Sequence, residues 1–269
     1  LVPQFKNYEV ILVSVIITLT NQKGGVGKTT TTATLITGLS LQEYKVLGID
    51  LDPQGNLGFS LGLDIENTAT IYDVFRGETN IEDVIQETEY GDIIPSNILL
   101  SSAELEFNRS GREYLLKEAL EPVMDKYDFI IIDTPPALNI LTVNAYVCSD
   151  HLIVPMVPEI LSLLGVSQLK ETAQTVKKFY NSKLNVLGLL LTKYNSRTNL
   201  ALEVADMANE IASQLNTSVF SAKIRASVAV AEAPAHGSCV LMYAPRSKPT
   251  LDYIDFIEEV LIRCKRARK

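Results

Sequence analysis

The stretch SVIITLTNQKGGVGKTTTTATLI, residues 14–36, decides the architecture. SVIITL (14–19) is a short, β-branched, apolar run, KGGVGKTT (23–30) is glycine-rich, and a helical stretch opens at about Lys28. A strand that runs through a glycine loop into a helix is the setting a phosphate-binding loop requires. Gly24, Gly25 and Gly27 let the backbone curl so that several N–H groups face one anion. The helix N-terminus adds a partial positive charge. In this pattern Lys28 contacts the β- and γ-phosphates of a nucleotide and the Thr29 hydroxyl is a Mg²⁺ ligand. Gln22 stands where the general G-x-x-x-x-G-K-[ST] pattern has its first glycine. Lys23 is a second lysine that binding one nucleotide within one chain does not need.

Outward from this loop the same kind of strand recurs: YKVLGID (44–50), DFIIID (128–133), HLIVPM (151–156) and NVLGLLLT (185–192). Continuous apolar runs mean strands covered on both faces, as in a parallel sheet. Amphipathic stretches at 164–180 and 200–215 suit helices between them. Alternation of strand and helix implies βαβ units with right-handed crossovers. The expected fold is therefore α/β: a doubly wound, mainly parallel twisted sheet with helices on both faces, of the P-loop NTPase kind. No Pro-, Gly- or Ser-rich linker interrupts the chain. The reading is an irregular lead-in over 1–13, a single domain over 14–262 and a basic tail over 263–269. Near the end, Tyr253, Ile257, Val260 and Leu261 form a stripe at helical spacing. Such a stripe is read as core packing, with a membrane-lying helix as the alternative.

Bulk properties narrow the function. The chain has 269 residues, 32 acidic against 24 Lys plus Arg, and a formal net charge of −8. That excludes a protein that coats nucleic acid with its whole surface, but not a local basic patch. Three widely spaced cysteines, Cys148, Cys239 and Cys264, offer no CxxC metal site and suit a reducing cytoplasm. The longest apolar run is too short for a bilayer span. His151 and His236 lack partners at ligand or triad spacing and read as structural.

Two acids strengthen the nucleotide reading. The strand 44–50 ends in Asp50, followed at once by Asp52, and the strand 128–133 ends in Asp133. Open α/β sheets place ligands at the carboxyl ends of their strands. A carboxylate there can hold a Mg²⁺-bound water or orient an attacking one.

The ordered set NQKGGVGKTT (21–30), DLDPQGN (50–56), DIIPSN (92–97), REYLLKEALEPV (112–123), YDFIIIDTPP (127–136), SRTNL (196–200), EAPAHG (232–237) and YAPRS (243–247) resembles the ParA/Soj family of deviant Walker-A partitioning ATPases. The likeness runs from about residue 14 to 260. It implies that Lys23 is the signature lysine, reaching across a nucleotide-sandwich homodimer, and that Lys28 is the phosphate-loop lysine. It makes Gly24, Gly25, Val26, Gly27 and Thr30 nucleotide contacts. Asp52 becomes the acid acting on the hydrolytic water. Thr29, Asp50 and Asp133 become the magnesium site. Glu159, Arg225 and Ser227 are placed near ribose or base, together with the strand end 192–195. ATP and Mg²⁺ are the implied cofactors. The implied cycle is slow, partner-stimulated hydrolysis in a cytoplasmic, nucleoid-associated protein. The ATP dimer binds DNA non-specifically, and a ParB/Spo0J-like protein triggers release.

The chain also departs from the family. Arg225 and Ala226 stand where Pro and Arg are usual, and Ala229 and Ser238 replace basic residues. Lys223, Arg225, Arg246, Lys248 and the basic tail are the candidates to compensate on DNA. With the first strand beginning near residue 14, the reading expects no helix-turn-helix ahead of it. A MinD-like membrane-cycling ATPase is the alternative, ranked second because the basic end lacks bulky apolar residues after Ile262; membrane association is not expected. A scaffold that has lost hydrolysis is the third reading, opposed by the intact Lys28, Thr29, Asp52 and Asp133.

Overall fold

The computed structural model describes residues 14–65, 68–108, 110–195 and 199–267, and the side chains of all of these except 160–167, 199–202 and 266–267. Residues 1–13, 196–198 and 268–269, on which parts of the sequence reading fall, lie outside the described residues.

Seven strands make one sheet: β1 (Val15–Leu19), β2 (Val46–Asp50), β3 (Gln86–Thr88), β4 (Gly91–Ile94), β5 (Phe129–Asp133), β6 (His151–Met156) and β7 (Asn185–Leu191). The helices before β5 are α1 (Lys28–Ser40), α2 (Asn56–Ser60), α3 (Ile71–Arg76), α4 (Ala103–Glu106) and α5 (Leu115–Leu120). Those after it are α6 (Ile140–Cys148), α7 (Ile160–Phe179), α8 (Asn199–Gln214), α9 (Val228–Glu232), α10 (Val240–Tyr243) and α11 (Lys248–Ala267). The strand order is β3-β4-β2-β5-β1-β6-β7. Every pairing is parallel except β3 with β4. The edge hairpin carries little apolar side chain in β3 (QET), which is why the sequence pattern did not reveal it.

Both faces of the sheet are covered, as the apolar runs required. In β5, Ile130 and Ile132 pack with α6 residues such as Leu141 and Tyr146. Phe129 and Ile131 pack on the opposite side with Leu35 and Ile36 of α1 and Phe256 and Ile257 of α11. β1 divides the same way, Ile16 to one core and Val15, Ile17 and Leu19 to the other. Alternate side chains of each central strand thus enter two separate cores, so a one-residue slip would exchange them.

The stripe on α11 is core. Tyr253, Ile257, Val260 and Leu261 are buried. Ile257 lies so close to α1 that a Cβ at Gly38 would fall 2.2 Å from its Cδ1. Among the described residues no helix is long and apolar enough to cross a membrane.

The basic tail needs correction. α11 runs on to Ala267, and Arg263 belongs to the fold instead of to a solvated end. Its guanidinium donates to the carbonyls of Leu187 (2.8 Å), Ser218 (3.2 Å) and Val219 (2.9 Å) and to Glu259 (2.6 and 3.0 Å). It also lies over the Phe220 ring at 4.0 Å. Cys264 beside it is buried. Gly188 in β7 makes room, since a Cβ there would sit 2.5 Å from Arg263 Nη1 and 2.6 Å from the Phe220 ring. The sequence, in which Arg263 opens a run of basic residues, gives no sign that this one is inserted.

Replacing Arg263 removes its donors to three carbonyls and to Glu259, although Ser218 keeps the Leu189 N–H and Glu259 keeps the N–H groups of Ser221 and Ala222. Arg263→Ala is expected to lower unfolding stability by about 2–3 kcal/mol, measured by urea denaturation. A loss within about 0.5 kcal/mol, the level of an ordinary surface substitution, would return Arg263 to the solvated tail.

Candidate nucleotide site

Parallel register builds the site. Leu19 of β1, Asp133 of β5 and Asp50 of β2 lie side by side at the carboxyl edge of the sheet. The loop leaving β1 turns into α1 through Gly25 (φ +73°) and Gly27 (φ +88°), left-handed conformations that exclude ordinary side chains. A Cβ on Gly24 or Gly25 would meet nothing within 4 Å. The space beside these two glycines is therefore open, which leaves their backbone N–H groups accessible to an anion.

Polar anchors hold this loop to the sheet. Asn21 donates through Nδ2 to the Pro155 carbonyl (2.8 Å) and accepts the Lys23 N–H on Oδ1 (2.9 Å). Thr192, directly after β7, donates to the Val26 carbonyl (2.7 Å). Thr134 donates to the Leu19 carbonyl (2.8 Å). Asn21 and Thr134 were not singled out in the sequence. Their signal was available, since Thr134 directly follows an apolar strand and Asn21 stands two residues beyond another.

At the start of α1, Thr29 Oγ1 donates to Asp133 Oδ2 (2.6 Å) and Thr32 Oγ1 lies 3.1 Å from Oδ1. Lys28 is buried, and desolvation pulls its ammonium below the ordinary lysine range against the opposing pull of Asp133 and Asp52. Asp133 is fully buried and is pushed up by desolvation, although Thr29, Lys28 and Thr32 favour its charge.

Asp50 stands differently from its expected role. Its carboxylate accepts the Asp52 N–H on one oxygen and the Leu57 N–H on the other, both at 2.9 Å. It is fully buried, and burial and Asp133 push it well above the carboxylate range. Both oxygens close the loop 51–57 and hold Asp52 in place. Asp52 accepts the Gln54 N–H (3.1 Å), and its carbonyl accepts from the buried Ser96 hydroxyl.

A cavity of about 700 Å³ opens over these groups. Its phosphate-loop wall is Gly24, Gly25, Gly27, Lys28, Thr29 and Thr30. Asp52 and Gln54 face it from one flank, and Thr192, Lys193, Arg225, Ala226 and Ser227 from the other. Asp50 and Asp133 lie beneath the lining, and the Val26 side chain is buried. Lys23 and Glu159 form an ion pair with each other outside the cavity. Arg225 is clamped to Asp252 of α11, a residue the sequence reading passed over. The remaining expected base contacts, 192–195, reach the cavity through Thr192 and Lys193.

The donor set suits a hard divalent cation with a polyphosphate. Thr29 and Asp133 could supply oxygen ligands, and one buried ammonium is set near Asp133 and Asp52.

Comparison with known proteins identifies the relatives of this chain. Residues 14–186 match the family described as an AAA domain. The chain is 41% identical over 251 residues to the sporulation initiation inhibitor protein Soj of Bacillus subtilis, covering 91% of this chain and 97% of that protein. It is 38% identical over 252 residues to the chromosome partitioning protein ParA of Myxococcus xanthus, covering 92% and 88%. Cobyrinic acid a,c-diamide synthase from Mycobacterium smegmatis, solved with a bound ATP analogue and magnesium, superposes with a TM-score of 0.83 at 34% identity, covering 96% of this chain and 98% of that one.

The raised Asp133 has a thermodynamic consequence. The folded protein keeps a proton there at pH values where the unfolded chain has released it. The associated stability is complete below the ordinary value of 3.8 and is lost as pH rises through the raised value. Without nucleotide or magnesium, the stability of Asp133→Asn relative to wild type is expected to climb as pH rises through that window, then level off. Thermal melting of both proteins from about pH 4 to 8 checks this; a constant difference would mean that Asp133 ionises normally.

Proposed function

The chain belongs to the ParA/Soj family of partitioning ATPases, and from that premise we propose that it is an ATP-switched homodimer that carries or positions DNA. The observation that carries this reading is the meeting of Lys28, Thr29 and Asp133 at one sheet edge, with Asp52 facing the same cavity. The phosphates lie in the loop 24–29, their charge met by backbone N–H groups and by Lys28. Thr29 and Asp133 would hold Mg²⁺, which would supply neutralisation of phosphate charge, and Asp50 supports them by fixing the loop of Asp52. Asp52 orients a water for attack on the γ-phosphorus. The bond to the bridging oxygen breaks, giving ADP and phosphate.

In the closed dimer each Lys23 leaves Glu159 and reaches the nucleotide of the partner subunit. The exposed ion pair makes that exchange inexpensive, since such pairs contribute about 0–1 kcal/mol. Thr30, the Val26 backbone, Ser227, Arg225 and Glu159 complete the contacts to phosphate, base and ribose.

DNA binding in this scheme is non-specific and electrostatic. Arg246 and Lys248 are exposed and take over part of what Ala229 and Ser238 do not supply. A ParB-type partner completes the water-positioning machinery, and hydrolysis opens the dimer and releases DNA. The matches to Soj and to ParA over more than nine-tenths of the chain support this reading.

Asp52→Ala is expected to accumulate as an ATP dimer that retards plasmid DNA. Lys28→Ala should stay monomeric and lose at least about a hundredfold in turnover. Analytical ultracentrifugation and gel retardation with ATP and magnesium check both. An Asp52→Ala protein that remains monomeric at saturating ATP would overturn the switch, and a dimer that ignores DNA would overturn its cargo.

A further inference from the structure

The wall of the cavity away from the phosphate loop contains a group whose restraint the nucleotide reading does not explain. Arg225 donates three hydrogen bonds to one carboxylate, that of Asp252: Nε to Oδ2 at 2.6 Å, Nη2 to Oδ1 at 2.6 Å, and its backbone N–H to Oδ2 at 3.1 Å. The fork-to-fork pairing fixes the plane of the guanidinium, and the third bond fixes the loop segment that carries it. Asp252 is nearly buried (10% exposed side chain), whereas Arg225 stays open (46%) and lines the cavity. The adjoining loop residues on that wall, Ala226 and Ser227, are too small to offer a flat surface.

We propose that Asp252 is a positioning residue for nucleotide binding, holding Arg225 as a flat, charge-neutralised platform against which the base of the nucleotide stacks. This rests on the reading that the cavity holds ATP.

Two physical effects support the assignment. A guanidinium plane stacks well on an aromatic ring, and an immobilised one loses less freedom when it does so. A free arginine at this end of the cavity would also compete with Lys28 for the triphosphate. Bidentate pairing cancels that charge, so the polyphosphate is drawn to the phosphate loop and the base is left to Arg225. Asp252 lies on α11, one residue before Tyr253, whose hydroxyl reaches Thr31 of α1 at 3.3 Å. The platform is therefore fixed to the same helix that packs on the phosphate-binding helix.

The test compares two ligands, ATP and inorganic tripolyphosphate, each with magnesium, by calorimetry on the full chain. Asp252→Asn keeps an acceptor for the backbone N–H but removes the charge; Asp252→Ala and Arg225→Ala remove the pair. The expected result is an affinity for ATP about tenfold weaker in each alanine variant, with tripolyphosphate affinity unchanged in Arg225→Ala and unchanged or tighter in the Asp252 variants. The Arg225→Ala/Asp252→Ala double variant should be no weaker than either single one, because the two act as a unit. In turnover the loss should fall on KM and leave kcat near wild type. Equal loss for both ligands, no loss for ATP, or additive losses would overturn the inference. Failure of the wild-type protein to bind ATP would instead overturn the underlying nucleotide reading. Should the alanine variants not fold, Asp252→Asn alone decides, by whether its ATP-to-tripolyphosphate affinity ratio falls.

Discussion

A buried ammonium beside buried carboxylates is the constraint on which the site depends. Lys28 is set at the head of α1 by two left-handed glycines, and Asp133 at the end of β5 receives the hydroxyl of the next residue, Thr29. Desolvation works against the charge of both. Without ligands, buried charge costs stability. Lys28 and Asp133 offset part of that cost for each other, and a triphosphate with its cation would add further counter-charge on both sides. Nucleotide binding at this site would therefore be coupled to stability.

The parallel register makes this possible. Pairing of β1 with β5 and of β5 with β2 brings Leu19, Asp133 and Asp50 into one row. The row then divides the labour. Asp133 meets the first turn of α1, whereas Asp50 turns away from the cavity and ties down the loop that presents Asp52. Two acids at neighbouring strand ends look equivalent in the chain. Their surroundings, two hydroxyls for one and two backbone N–H groups for the other, make one a ligand candidate and the other a brace.

Much of this was legible from the residues. Apolar runs at 14–19, 128–133 and 151–156 correspond to β1, β5 and β6 because strands buried on two faces need no alternation. The loop was equally plain, since Gly25 and Gly27 occupy the conformations only glycine takes freely. What escaped was of three kinds. β3 has no apolar signature, being an edge strand of QET. Arg263 sits in a run of basic residues, and only the gap left by Gly188 reveals that it is inserted among carbonyls. Asp252 lies 27 positions from Arg225, and no local pattern links a helix residue to a loop so far before it.

The C-terminal helix thus does more than close a core. Ile257 presses on α1 at Gly38, Tyr253 touches Thr31, and Asp252 grips the loop of Arg225. One rigid element is joined to the helix that begins at the phosphate loop and to the loop on the far wall of the cavity. Any tilt of α11 would have to move both walls together or break a bidentate pair, and packed interfaces resist gradual deformation. α11 is thus the element that joins the two sides of the cavity. The Lys23–Glu159 ion pair lies outside the cavity, and a surface pair of this kind contributes little to stability.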